Sequence, residues 1–494
     1  MSLSLPRFSR PIALSMLTAA VLVGGCAVGP HFVAPQPKIP TEWHAAGTSA
    51  PPGSDRISVV RPESSRLAAW WLIFKDPELN SLIERAATAN LDVQGALLRV
   101  AEARAARQGI AADLWPSVSG NASFSRTRVS DKTALGSVLV DGNAALPGIA
   151  NPFNQSQVGF DASWELDVFG HMRRLVEAAD ADAQATLEQE HDALLTLMGD
   201  VARAYVELRG HQLRLAITLD NLKTQRDVLE ITRDRQMSGL GNDLDVANAS
   251  AQLATTQALV PDLKRQIAQS INQLSLLLGR EPAALHAELE STRAVPAPPP
   301  EVPIGLPSEL VRRRPDIRRA EAALHAAVAR VGVAEADLFP RLTLNVGAAF
   351  QAQRAADLGS WASRFLSLGP TLELPILDGG RRRATLRLQN LQERESAVTY
   401  ERTVLEALHD VENALVAYGT EQDRRAALSA AVAASQTALD LSRLRYSTGV
   451  TAFLDVLDAE RNLEQTELAE AQSTVDISID LVALYKALGG GWES

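Results

Sequence analysis

The chain has 494 residues, 46% of them hydrophobic and 22% charged, an ordinary balance for a folded protein. Its formal net charge is −11, and about −13 once residues 1–25 and their two arginines, Arg7 and Arg10, are set aside. Nucleic acid is thereby excluded as a partner, since binding it needs a concentrated basic surface. The low aromatic share of 5% suits packed long helices better than one large globular core.

Residues 1–25 combine a basic start, an apolar run from Ile12 to Val23 and small residues just before Cys26, the pattern of a secretory signal peptide. The run is too short for a comfortable membrane-spanning helix. Leu22-Val23-Gly24-Gly25-Cys26 resembles the bacterial lipobox, which makes Cys26 the expected lipidated N-terminus, and Ala27 after it favours the outer membrane. Cys26 is the only cysteine, so no disulfide forms within one chain. Residues 26–75, with Pro30, Pro35, Pro37, Pro40, Pro51, Pro52 and Pro62, read as an extended, lipid-anchored segment lying on the body.

From Asp76 the spacing of Leu79, Leu82, Ile83 and Ala86, then Leu97, Val100 and Ala101, predicts a helix running to Trp115-Pro116. Two strands follow. Ser117–Arg128 alternates Val118, Gly120, Ala122 and Phe124 with polar neighbours, and Gln157–Phe169 alternates Val158, Phe160, Ala162, Trp164, Leu166 and Val168 with a polar face. A helix of abnormal length is expected from His171 to Met237, about 100 Å at 1.5 Å per residue, with a return helix from Asp243 to Leu278. Spacings such as Leu194, Leu197, Val201, Ala204, Leu208 and, later, Leu405, Leu408, Val411, Leu415 give a three-then-four stripe for side-by-side helix packing.

The same order then recurs. Arg235, Gly239, Asp245, Val246, Ala249 and Leu253 are answered 210 residues later by Arg445, Gly449, Asp455, Val456, Ala459 and Leu463. This reads as an internal duplication: repeat one over 76–279, a proline-rich linker over 280–306, repeat two over 307–488 and a tail over 489–494. In repeat two the strands carry Leu342 to Phe350 and Leu366 to Ile376, and the helices run from Arg381 to Ser447 and from Ala452 to Leu488. Each pair of helices turns at a glycine, Gly239 or Gly449, so each acidic turn is a hairpin tip.

Four strands of about ten residues match membrane-barrel strands but cannot close a barrel, whose smallest bacterial form has eight. An open edge is excluded in lipid. If the strands cross a membrane, several chains must share one barrel, and three chains would supply twelve strands. The alternative on the strands alone is an ordinary antiparallel sheet packed on a helical body.

Asp455 and Asp458 lie three apart on one helical face, so three chains would bring six carboxylates to one constriction. Such rings favour cations and repel anions. The plainer role for Asp455, as for Asp243 and Asp245, is to favour a helix start. The arginines Arg381, Arg382, Arg383, Arg173 and Arg174 follow the strands at helix starts, where cations oppose the helix dipole. Lipid headgroups are the expected partners, with a solvated charge cluster as the alternative.

The sequence resembles the TolC/OprM-type outer-membrane factors, and more closely their lipoprotein, NodT-like branch, over nearly the whole mature chain. The marks are Trp70-Trp71 with Phe74, Asp76-Pro77 and Leu79; Leu306-Pro307-Ser308-Glu309-Leu310 with Arg313-Arg314-Pro315-Asp316-Ile317; and Arg445-Tyr446, Gly449 and Asp455-Val456-Leu457-Asp458. The resemblance implies a mixed α/β membrane protein: a homotrimer with a long α-helical coiled-coil barrel and a twelve-stranded transmembrane β-barrel, four strands per chain. It implies a passive gated duct in the outer membrane of a Gram-negative bacterium, served by a periplasmic adaptor and an inner-membrane RND-type transporter, exporting drugs or other small toxic compounds. It also implies acidic aperture rings at Asp455 and Asp458 and ties between hairpins at Tyr446 and Asp245. Thr451 stands where the family often has a basic residue, so closure would rest there on hydrogen bonds and packing.

The eight histidines form no His-x-x-x-His pair, and no phosphate-binding loop or hydrolase elbow is present, so no enzymatic activity, metal or cofactor is expected. Two rival roles stand beside the efflux duct: a duct for type I protein secretion, and a non-conducting periplasmic helical scaffold lipoprotein.

Overall fold

The computed structural model describes residues 27–45, 56–61, 67–130, 132–133 and 152–492. The signal peptide and Cys26 therefore lie outside the described residues, as does most of the first strand-to-strand loop. The chain divides into two compact units: one of Met1–Ala34, Ala101–Gln184 and Ala322–Val398, the other of Pro35–Val100, Ala185–Glu321 and Thr399–Ser494.

In chain order the elements are β1 (Val59–Arg61), a 3-10 segment (Leu67–Phe74), α1 (Pro77–Ala89), α2 (Leu91–Ala112), β2 (Ser117–Thr127) and β3 (Phe153–Leu166). There follow α3 (His171–Met237), α4 (Asp243–Leu277), β4 (Glu301–Pro303), α5 (Pro307–Arg313) and α6 (Pro315–Ala336). The chain closes with β5 (Arg341–Ala352), β6 (Arg364–Glu373), α7 (Arg381–Ser447) and α8 (Phe453–Ala487). The long helices α3 and α7 have 67 residues each, and the return helices α4 and α8 have 35 each. Among the described residues no helix is long and apolar enough to cross a membrane.

The first unit holds a four-stranded antiparallel sheet in the order β2-β3-β5-β6. Its register aligns every even-numbered residue on one face: Ala122 opposite Val158, Val158 opposite Phe350, Phe160 opposite Ala348, Ala348 opposite Leu366 and Leu342 opposite Leu372. Phe124, Phe160, Leu366, Leu368 and Leu372 are exposed there, an apolar face on which these side chains are uncovered among the described residues. The opposite face is polar and cross-linked. Asn121 donates to Asp161, Ser163 Oγ to Asn345 Oδ1 at 3.2 Å, Asn345 Nδ2 to Thr371 Oγ1 at 3.1 Å and Gln351 Nε2 to Gln157 Oε1 at 3.0 Å.

Several boundaries depart from the sequence pattern. β3 ends at Leu166, before the predicted Phe169, because Asp167 turns to accept from the backbone N–H and guanidinium of Arg173 and Gly170 adopts a φ of +86°. β6 ends at Glu373, and Leu374 and Ile376 stand exposed beyond it on either side of Pro375, which has no ladder N–H to give. The single helix expected from Asp76 is two. The backbone N–H of Asn90 donates to Ala86 O at 2.9 Å and closes α1, and its side chain caps α2, its Oδ1 accepting from Asp92 and Val93 N–H while its Nδ2 donates to Leu277 O at 2.9 Å.

The second unit is built on a core drawn from all its helices. Leu79, Leu82 and Ile83 of α1, Val201, Tyr205 and Leu208 of α3, Ile271 and Leu274 of α4, Val411 and Tyr418 of α7, and Leu481 and Tyr485 of α8 are all buried. The stripe on α7 begins at Val404 rather than Leu405, which is exposed. Residues 26–75 are not wholly extended. Trp70 is 2% exposed and stacks on Tyr485 with ring centroids 5.6 Å apart, so apolar burial folds this stretch into the 3-10 segment. The stretch read as a linker also enters the fold, since β1 pairs with β4 in parallel.

One half-buried carboxyl in this unit makes stability depend on pH. Burial, with Glu421 and Asp476 nearby, pushes Asp480 up to about 6. A raised acid favours the folded state when protonated, so its penalty is absent below the ordinary Asp range and complete above about pH 6. Asp480→Asn should therefore stabilise the protein by about 2 kcal/mol at pH 8 and by nothing at pH 3.5. Denaturant titration of the detergent-solubilised protein at the two pH values checks this.

Candidate functional site: the hairpin tips

The two helix hairpins of the second unit end in turns of the same construction. At Gly239 and Gly449 the backbone takes φ of +75° and +76°, and Leu240 N–H and Val450 N–H reach back to Arg235 O and Arg445 O, both at 2.8 Å. This is the left-handed glycine stop that satisfies the last helix carbonyls, and a side chain at either position would strain it. The restarts differ. Asn242 caps α4 by accepting from Asp245 N–H, whereas Ala452 precedes α8 with no side-chain cap.

Asp455 makes no side-chain cap at the start of α8, so the carboxylate is free of that local duty. Asp455 and Asp458 are both exposed, while their neighbours Val456 and Leu457 are buried. The helix thus presents its acidic face outward and anchors on its apolar one. The anchor is a small cluster of Leu229, Ala249, Leu439, Phe453, Val456, Leu457 and Leu463, with Tyr446 packed against it.

Tyr446 joins the ends of α3 and α7. The Arg235 guanidinium lies 4.6 Å above its ring, and Arg235 Nη1 donates to Ser447 O at 3.4 Å. Phe453 packs against the same ring, tilted by 59° with 5.5 Å between centroids. Burial, with Asp245 adding to it, pushes the Tyr446 phenol up, so it remains a hydrogen-bond donor. Its hydroxyl, and that of Thr451, are buried yet meet no hydrogen-bond partner among the described residues. Asp245 is half-buried beside them, and its neighbour Asp243 accepts from Gln236 Nε2 at 2.7 Å.

Pattern reading of the tip missed Arg235, Phe453 and the ion pair of Arg443 with Glu460 at 2.8 Å. Arg235 was visible only as a repeated position. Its stacking on Tyr446 depends on which residues two separate hairpins bring together.

The arginines at the helix starts divide in two. Arg174 is 3% exposed, and its guanidinium is spread over Val28 O, Gly29 O, His31 Nδ1 and Glu177. Arg173 holds Asp167, and Arg382 donates to Asp337 O at 2.7 Å and lies near Asp378. These three have partners within the chain. Arg381 and Arg383 are exposed. Among the described residues no group of histidine, cysteine, aspartate or glutamate side chains is arranged to hold a metal ion.

An amphipathic four-stranded sheet joined to paired helices of this length, ending in acidic glycine turns, defines a class: the outer-membrane ducts. The chain belongs to the outer membrane efflux protein family, which it matches over residues 82–280 and 306–490. It is an outer-membrane channel of an efflux pump, and the family is one of channels rather than enzymes. Relatives include nodulation protein T of Rhizobium leguminosarum bv. trifolii, 32% identical over 96% of both chains. The solvent efflux pump outer membrane protein SrpC of Pseudomonas putida is 32% identical over 96% of this chain and 97% of its own. Among solved structures, the outer-membrane channel OprN superposes with a TM-score of 0.84 at 36% identity, covering 95% of this chain and 100% of that one. The family assignment sets aside the non-conducting scaffold.

Proposed function

We propose that three copies of this chain form one duct, their sheets closing a twelve-stranded barrel in the outer membrane and their hairpin tips closing the periplasmic end. The observation that carries this is the open sheet. Its apolar face is uncovered, and among the described residues the outer edges of β2 and β6 have no partner strand. Unpaired strand edges are too costly to stand in lipid, and pairing with other copies removes them. The internal duplication suits such a duct, since two similar hairpins per chain give a ring of six.

At the tips, the outward faces of Asp455 and Asp458 meet around the axis, and the unpartnered hydroxyls of Tyr446 and Thr451, with Asp245, supply ties between hairpins. A groove of about 530 Å³ between the ends of α3 and α7, bordered by Ile231, Leu444, Tyr446 and Val456, suits a helix of a periplasmic adaptor. Adaptor and inner-membrane RND-type transporter would open the tip by binding the open state better. The cargo is drugs or other small toxic compounds, the class named for SrpC and its relatives. Acylation of Cys26 would add a lipid anchor, and Arg381 and Arg383 would meet headgroups.

The test is a planar-bilayer recording of the purified protein. A small, cation-favouring conductance is expected. Intact trimers that never conduct at any voltage would overturn the duct.

A further inference from the structure

We infer that Glu464 is the lock that holds the two hairpins of one chain in register above the tip, a positioning residue for the gate. The inference rests on the gate reading of the tips. Glu464 lies eleven residues into α8, about 16 Å from its start. Its carboxylate accepts from three side chains of the other hairpin: Gln225 Nε2 of α3 at 3.4 Å, Gln252 Nε2 of α4 at 3.2 Å and Thr256 Oγ1 of α4 at 3.2 Å. All three donors are more than nine-tenths buried. The Gln252 amide is also gripped at its other end, where its Oε1 accepts from Arg461 Nε at 2.7 Å. One turn of α8 thus holds Gln252 by both its donor and its acceptor.

The neighbouring carboxylates of α8 accept fewer bonds from the other hairpin. Glu460, nearer the tip, is held by Arg443 of its own hairpin, and Glu467, farther away, accepts from Asn221 Nδ2 at 3.2 Å. Between the lock and the turns the hairpins meet mainly through the apolar cluster of Leu229, Ala249, Leu439, Phe453, Val456, Leu457 and Leu463, with Arg235 on Tyr446 and Ser447 O at the turns themselves. Apolar contact is non-directional and tolerates sliding. A charge-assisted, multiply bonded carboxylate does not, because shifting it leaves buried donors unpaired. The Glu464 contact therefore resists the sliding of one hairpin on the other that opening of the tip requires.

The sequence shows that the repeated architecture does not itself require this group. At the constant offset of 210, Glu464 corresponds to Ala254, and Gln252 to Asn462. The lock is present once per chain, on one of two related hairpin faces. That is what a device for moving one hairpin against the other needs.

The experiment compares single-channel behaviour of the purified full-length protein with that of Glu464→Ala, Gln252→Glu and Glu464→Ala/Gln252→Ala. Glu464→Ala should raise the open fraction about tenfold, the effect of one charge-assisted hydrogen bond. Gln252→Glu, which sets a second carboxylate against the first, should do the same by repulsion and covers the case in which the alanine variant folds poorly. The double variant should open no more than Glu464→Ala alone, because both act on one contact. Glu464→Gln, whose amide oxygen can still accept from Gln252 and Thr256, should open less than Glu464→Ala and more than the wild type. Unchanged gating in both Glu464→Ala and Gln252→Glu, while substitution of Asp455 and Asp458 alters conductance, would overturn the lock and leave the gate standing. A silent wild type would remove the gate and the lock with it.

Discussion

Replacing Asp455 and Asp458 together by alanine should abolish the cation preference of the channel and change its single-channel conductance several-fold, with trimers formed in normal yield. Both side chains are exposed on α8, and neither caps the helix. Removing them therefore costs little folding energy, as is usual for surface groups away from structural features. Their effect is electrostatic. A carboxylate ring at a narrow aqueous constriction concentrates cations and excludes anions, and the trimer would carry six such groups. The preference should also weaken with salt in the wild type, because exposed charges are screened over about 8 Å at physiological ionic strength. Bilayer recordings in a salt gradient report the reversal potential directly. A reversal potential and conductance identical to wild type would place the constriction elsewhere.

Arg174→Met should release residues 27–34, at a cost of about 3 kcal/mol, in line with breaking a buried ion pair. Arg174 gathers two carbonyls of residues 28 and 29, while Glu177, bonded to Arg174 at 2.8 Å, also holds His325 at 3.0 Å. Phe32 stacks on His325 with centroids 4.4 Å apart. The seat has no room to spare, since a Cβ on Gly29, where φ is +93°, would stand 2.5 Å from Gly332 Cα. Lysine should not restore it, because a point ammonium does not span the fan of acceptors a guanidinium reaches. Limited proteolysis followed by intact mass reads the result: protection of residues 27–34 in the wild type, cleavage in Arg174→Met and Arg174→Lys. Acid should act in the same direction. Burial alone would raise the Glu177 carboxyl, but Arg174 and His325 outweigh it and hold it below its usual range. The stability it contributes is full above the unfolded value near 4.5 and is lost as pH falls through the lower folded one.

Periodicity alone determined a large part of this protein. The two-residue alternation placed four strands and their apolar face, and the glycine turns with the repeat at offset 210 placed the ends of α3, α4, α7 and α8 to within a residue or two. These features are local: side-chain period and turn chemistry act over a few residues, so they are written in order along the chain. The acidic turn at Asp455 and Asp458 was legible for the same reason.

Only the tertiary structure decided which side chains meet. Arg174 reads in sequence as one more arginine at a helix start, yet it is spent on a segment some 145 residues earlier. Trp70 lies in a stretch whose prolines suggest an extended tether, and burial against Tyr485 folds it. Glu464 has no motif at all. Its partners come from two helices more than 200 residues away, and such a contact is set by helix register rather than by local pattern. Propensity and spacing act between neighbours, whereas burial and charge pairing act between whatever the packed helices bring within a few ångströms.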